Sequence, residues 1–196
     1  MAAAIEISPQ RKSAVTFAVM LAAIMQMLDT TIANVALPHM QGSLSATQDQ
    51  LSWVLTSYIV AAAIMTLPVG WLSGRYGRKN VFVISVAGFT VASVLCGVAS
   101  SLNEMVLFRV LQGFFGAALV PLSQATLLDI NRKEDHGKAM SLWAVSVMIG
   151  PILGPTLGGF LTEYYSWRWV FYINLPLGIL AFFIMYTLIP DAERVE

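Results

Sequence analysis

Charge is scarce in this sequence. Only 11% of the residues are Asp, Glu, Lys or Arg, while 57% are hydrophobic. Soluble domains carry about 25% charged residues, so the composition excludes a soluble protein and leaves an integral membrane protein. Neither sign dominates, since Lys+Arg and Asp+Glu each number 11. There is no basic patch, which excludes nucleic acid as a partner. Cysteine is nearly absent: Cys96 stands alone in an apolar run, so it forms no intramolecular disulfide and offers no metal site. The two histidines, His39 and His136, fall at a helix end and in a loop, where they are expected to be solvated. The H-E-x-x-H of a zinc protease is missing, as are the G-x-S-G nucleophile and membrane histidine of a six-span serine protease. Neither enzyme chemistry nor a cofactor is expected.

Long apolar runs are what the chain has. A bilayer core about 30 Å thick needs roughly 20 helical residues. Six segments qualify: about 15–38, 51–72, 81–100, 105–128, 138–162 and 170–190. The polar stretch 1–13 reads as a tail. A signal peptide is not expected here, because the apolar segment behind this stretch is too long and contains Asp29. Residues 14–190 form the bundle, and 191–196 end the chain. Basic residues set the orientation. Arg11, Lys12, Arg75, Arg78, Lys79, Arg132, Lys133, Lys138 and Arg194 fall on one side, and only Arg168 on the other. That side is cytoplasmic, and so are both termini.

An internal repeat points to the architecture. Gly70–Phe82 aligns without gaps on Gly159–Phe171 at an offset of 89, with glycine, leucine, tyrosine, valine and phenylalanine matching. Three spans per copy put the copies, about 14–100 and 104–190, in opposite orientations. The expected fold is an all-α membrane bundle of six helices built as a three-plus-three inverted repeat.

Asp29 is the only acid deep within a span. An ionised group there costs about 2.5–3.5 kcal/mol on insertion scales, so it should face protein or water. Gln26, Thr30 and Asn34 share a helix face, with Asp29 one step round, as on a helix lining a cavity. The plainer alternative is a buried polar residue that fixes packing. Arg109 lies one turn into the fourth span, with Gln112, Gly113, Gly116 and Ser123 roughly on its face. It either snorkels to the surface or pairs with Asp29, which lies at similar depth. Gln26, Thr30, Asn34, Gln112, Gly116 and Ser123 are the cavity candidates. Gly70, Gly74 and Gly77 suggest a constrained turn in the basic connection carrying Arg75, Arg78 and Lys79. Asp129 is the candidate partner for Arg78, or simply a solvated helix-end acid. In the fifth span Gly150, Gly154 and Gly158 recur every four residues, beside Pro155 and Gly159. A face without side chains admits another helix backbone closely.

These segments carry a family resemblance. Leu28–Pro38 resembles the first-helix signature of the fourteen-helix drug:proton antiporters of the major facilitator superfamily, the EmrB/QacA group. Trp53–Tyr58 looks like that group's second helix. Gly70–Lys79 is similar to the superfamily's motif A, and Arg109–Gly113 to motif B. Gly150–Gly159 resembles the antiporter motif of the fifth helix, and Trp167–Gly178 the start of the sixth. The resemblance covers nearly the whole chain. It implies an N-terminal half of an inner-membrane exporter driven by the proton-motive force, with Asp29 as the proton-linked acid and Arg109 assisting. The Gly150–Gly159 helix would shape the interface between halves and mark antiport. Implied substrates are small amphipathic or cationic drugs. Implied partners are the lipid bilayer, a C-terminal half or second copy, and a periplasmic adaptor with an outer-membrane channel. Two departures stand out. Gly74 replaces the motif A aspartate that helps latch the cytoplasmic gate, and six spans stand against fourteen. The alternative is a six-helix subunit that dimerises or binds a partner without transporting alone.

Overall fold

The computed structural model describes residues 8–189. Arg194 and the expected terminal segment 191–196 lie outside these residues. Among the described residues, six helical stretches are long and apolar enough to cross a membrane. Helix α1 (Pro9–Met40) opens with Ser8 as N-cap and Pro9 at its first position, which uses positions whose backbone donors are otherwise unpaired. It therefore takes in the end of the expected polar tail, and Arg11 Nε donates to the Leu188 carbonyl at 2.8 Å. Helix α2 (Gln48–Tyr76) starts at a capping box in which Thr47 and Gln50 bond reciprocally. Helix α3 (Arg78–Val98) follows after one residue, Gly77, whose φ of +88° is open to glycine and strained for other residues. The expected constrained turn over Gly70–Lys79 is thus corrected: Gly70 and Gly74 lie within α2, and Gly77 alone makes the turn.

The fourth span is two helices, α4 (Leu102–Gly116) and α5 (Leu119–Ile130). Pro121 explains the break: it has no N–H for the Ala117 carbonyl and its ring crowds that group. The fifth span, α6 (His136–Tyr164), runs unbroken through Pro151 and Pro155. The sixth is split into α7 (Trp169–Tyr172) and α8 (Asn174–Leu188), and Pro176 denies the Tyr172 carbonyl its donor in the same way.

The principal helix contacts come in matched pairs. Helix α1 packs on α6 as α4 packs on α2, and α1 packs on α8 as α4 packs on α3. Exchanging the two halves of the sequence interchanges these contacts. Shifted by the repeat offset of 89, α2 falls on 137–165, and α6 occupies His136–Tyr164. The apolar core has two parts. One gathers Val19, Met25, Phe82, Phe89, Leu119 and Met185, the other Ile32, Met40, Val54, Met105, Trp167 and Phe171. In chain order on α1, α3, α4 and α8, buried polar residues lie between them: Asp29, Ser93, Arg109, Gln112 and Asn174. The outward faces of α2 and α6 are apolar and exposed, with Ile64, Leu67, Met148 and Ile152 each at least 60% accessible. That suits a surface meant for lipid or for further protein.

Candidate functional site

The polar layer is a continuous hydrogen-bonded network. Arg109 Nη1 donates to Asp29 Oδ2 at 2.7 Å and to Gln112 Oε1 at 2.7 Å. Asp29 Oδ1 accepts from Gln112 Nε2 at 2.8 Å and from Asn174 Nδ2 at 3.1 Å. Arg109 Nε donates to the Val54 carbonyl at 3.0 Å. Asn174 Nδ2 also donates to Ser93 Oγ at 2.9 Å, and Ser93 Oγ donates to the Phe171 carbonyl at 2.8 Å. The guanidinium lies 4.3 Å from the centre of the Tyr58 ring, within cation–π range. Asp29, Arg109, Gln112, Ser93 and Asn174 are all inaccessible to solvent. Burying an ion pair is costly unless its remaining donors and acceptors are also met, and here three donors converge on one carboxylate.

Local sequence explains the convergence. Arg109 and Gln112 are three apart and share one face of α4. Gly113 continues that face, where a Cβ would run into the Tyr58 backbone carbonyl. Its bare backbone lets α2 come close enough for Arg109 to reach Val54. Arg109 does not snorkel, since its guanidinium is held inside the bundle.

The expected polar stripe and Asp29 part company. Asp29 faces the bundle interior, whereas Gln26 and Thr30 are half-buried and Asn34 is exposed. Gln26 Oε1 accepts from the Val120 N–H at 3.2 Å, across the break between α4 and α5. Thr30 donates to the Met27 carbonyl, and Asn34 donates to the Thr30 carbonyl. Gln112, Gly116 and Ser123 are packed inside the bundle and do not line an open cavity, contrary to expectation. Gly116 sits beneath the Tyr58 hydroxyl and Phe89. Ser123 Oγ donates to the Val120 carbonyl and accepts from Trp143 Nε1 at 2.9 Å. The reason is that α4 and α5 are enclosed by α1, α2, α3 and α6.

At the basic end, Arg78 and Asp129 form a hydrogen-bonded ion pair. Arg75 extends over Trp71 and Tyr76, 5.8 and 5.9 Å from their ring centres, and Lys79 lies in the first turn of α3. On α6, Gly150, Gly154 and Gly158 are buried while Pro155 is exposed. A Cβ on Gly150 would lie 2.6 Å from Met27 Cβ and 2.7 Å from the Leu28 nitrogen, and one on Gly154 would meet Thr31. The glycine face therefore packs on α1 within this bundle, and the opposite face of α6, with Pro155, is left exposed. Thr31 Oγ1 lies 3.2 Å from the Gly150 carbonyl as a donor, tying the two helices. Gly159 has open space beside it.

Sequence reasoning missed Asn174, Ser93 and Tyr58. Asn174 carried a usable signal, as an amide inside an apolar span and within the quoted Trp167–Gly178 segment. Ser93 had none beyond its burial.

Comparison with known proteins agrees with this architecture. The fold matches the proton:xylose symporter XylE with a TM-score of 0.82 over 94% of this chain and 46% of that one, at 16% identity. In sequence, the chain is 42% identical over 178 residues to the multidrug export protein EmrB of Haemophilus influenzae, covering 91% of this chain and 35% of that protein. It is 44% identical over 179 residues to the fatty acid resistance protein FarB of Neisseria gonorrhoeae, again 91% of this chain and 35% of that protein. The chain thus spans about a third of the length of these curated relatives. The Major Facilitator Superfamily model matches residues 19–196. The chain is a multi-pass membrane protein and belongs to the major facilitator superfamily.

Proposed function

We propose that this chain forms the N-terminal six-helix half of a proton-coupled multidrug exporter of the cytoplasmic membrane, with both of its ends on the cytoplasmic side. The observation that carries this reading is the buried Asp29–Arg109 pair, closed by Gln112 and Asn174. The likeness to multidrug export proteins supports outward transport of drugs, which this reading takes to be small amphipathic or cationic compounds. Exporters of this kind make and break no covalent bonds, and the proton-motive force stands in place of a cofactor.

In this mechanism Asp29 takes up and releases the proton. Burial favours the neutral form of a carboxyl and a nearby guanidinium favours the ionised form, so a change in surroundings shifts the balance. Protonation cancels the charge that holds Arg109, and the network must then reorganise. Alternating access needs a second bundle to rock against. The exposed apolar faces of α2 and α6 support such a partner, supplied by a C-terminal half or a second copy. The Arg78–Asp129 pair would steady the cytoplasmic end where Gly74 replaces an acid. A periplasmic adaptor and outer-membrane channel complete the assembly.

The test is Asp29→Asn in the complete transporter. Drug-driven proton release should vanish while the protein still inserts. Unchanged coupled flux would remove Asp29 from this role.

A further inference from the structure

One buried acceptor in the network is idle. Asn174 uses both amide hydrogens, one on Asp29 Oδ1 and one on Ser93 Oγ, yet its Oδ1 is buried without any hydrogen-bond partner. A buried polar atom left unpaired costs about 1–3 kcal/mol, so the orphan needs a reason. The other amide beside Asp29 has no such spare capacity. Gln112 Oε1 already accepts from Arg109 Nη1 and from Cys96 Sγ.

We propose that the Asn174 side-chain amide follows the protonation of Asp29, donating to the carboxylate and, after turning over, accepting from the neutral acid. This rests on the reading of Asp29 as the proton-linked group. The chemistry is a matter of counting donors. An ionised carboxylate only accepts, and a protonated one gains an O–H that needs an acceptor. In the orientation observed, Asn174 presents Nδ2 to Asp29, which suits the ionised acid. The reverse orientation would set Oδ1 against the carboxylate, acceptor against acceptor, and is unfavourable until Asp29 carries a proton. Rotation about the last side-chain bond then brings the idle Oδ1 onto the new O–H. Ser93 can serve both states, because a hydroxyl donates or accepts by turning its own proton. It now donates to the Phe171 carbonyl and would turn to donate to Asn174 Oδ1, giving up that carbonyl, while Nδ2 would move to the place that Oδ1 now holds. The proton itself stays on Asp29, and Asn174 only exchanges the hydrogen bond. Its placement at the start of α8, just past the break before Pro176, points it at Asp29 from the helix opposite Arg109.

The test is infrared difference spectroscopy of the full-length transporter in lipid membranes, low pH minus high pH. The wild-type spectrum should contain a carboxylic acid C=O band that Asp29→Asn removes, at the lower frequency of a hydrogen-bonding acid. A side-chain amide band, identified with 13C-labelled asparagine, should shift with it. In Asn174→Leu the acid band should move up to the free-acid position and the shifting amide band should vanish, while Asn174→Gln should retain the lower position. An acid band that stays put in Asn174→Leu would overturn the proposal. If Asn174→Leu does not insert, the isotope measurement on the wild type decides, and an amide band that does not shift with pH overturns the proposal. The two readings fail differently. A titrating Asp29 with an unmoved amide sinks only the role of Asn174, whereas the absence of any Asp29 acid band sinks both.

Discussion

Among the described residues, two Asp–Arg pairs share identical chemistry in opposite surroundings. Asp29–Arg109 is sealed in the middle of the bundle at 2.7 Å, with side chains 0% and 1% accessible. Arg78–Asp129 sits at the basic end of the bundle, with side chains 38% and 40% accessible. The surroundings decide what each pair can do. At the rim, water solvates either charge alone, so the pair is an adjustable clasp. In the interior neither charge is tolerable alone, and any change in one must be answered by the other and by the groups bonded to both. That is the property a proton-coupled site needs, and the supporting backbone differs accordingly. The inner pair is held by glycine-mediated helix contacts on α4 and α6, the outer pair by the single-residue turn at Gly77.

The inner pair should give the largest effects. Arg109→Ala leaves a buried carboxylate without its cation, which typically costs 3–5 kcal/mol. Stability and transport should both fall. Adding Asp29→Asn should recover part of the stability but none of the activity, since members of one network act non-additively. Thermal unfolding and drug-driven proton release of the complete transporter measure the two. Losses of activity that simply add would assign the residues separate roles and erase the distinction between the pairs.

The support of the inner layer comes next. Gly154→Val places a branched side chain against Thr31 on α1, and overpacking of this kind costs about 1–3 kcal/mol. Transport should be lost while membrane insertion is kept. Gly159→Val, one step beyond the motif's packed face, meets open space and should stay close to wild type in the same assay. Equal behaviour of the two variants would mean that the glycine face does not hold α1.

The support of the outer pair is a matter of backbone conformation. Gly77→Ala forces a side chain into a positive φ, at a cost of about 1–3 kcal/mol. Gly74→Ala, within α2 and beside open space, should instead gain about 0.5–1 kcal/mol from helix propensity. Opposite signs in thermal stability check the placement of the turn at Gly77 alone.

Much of this was legible in the sequence. The span count followed from hydropathy, and the inverted repeat appeared in thirteen aligned residues. Asp29 and Arg109 announced themselves because charge inside an apolar run is costly. What escaped notice depended on facing and on local breaks. The sequence puts Gln26, Thr30 and Asn34 on one face with Asp29 one step round, and that single step on α1 separates the interior from the outside. The breaks at Pro121 and Pro176 were lost inside apolar runs that hydropathy reads as continuous. Asn174 went with them, because its position at the start of α8 gives it its bonds to Asp29 and Ser93. The basic connection looked like a loop because two of its glycines are helical, and composition does not distinguish a glycine in a helix from one in a turn.

The outer pair should give the smallest effect, and that smallness is itself informative. Exposed ion pairs contribute about 0–1 kcal/mol, because each partner is already solvated and long side chains must be ordered to meet. Arg78→Ala and Asp129→Ala should therefore lower thermal stability only slightly, and by similar amounts. The difference from wild type should shrink as salt rises from low to physiological strength, since exposed charges are screened over about 8–10 Å. The same salt series should leave the loss in Arg109→Ala unchanged, because no ions reach the buried pair. The clasp joins the start of α3 to the end of α5, so its removal should show in the rate of transport before it shows in stability. A stability loss as large as that of Arg109→Ala, or one indifferent to salt, would mean that the rim pair is sealed from water in the assembled transporter by a partner bundle, and the contrast between the two pairs would then belong to the isolated half.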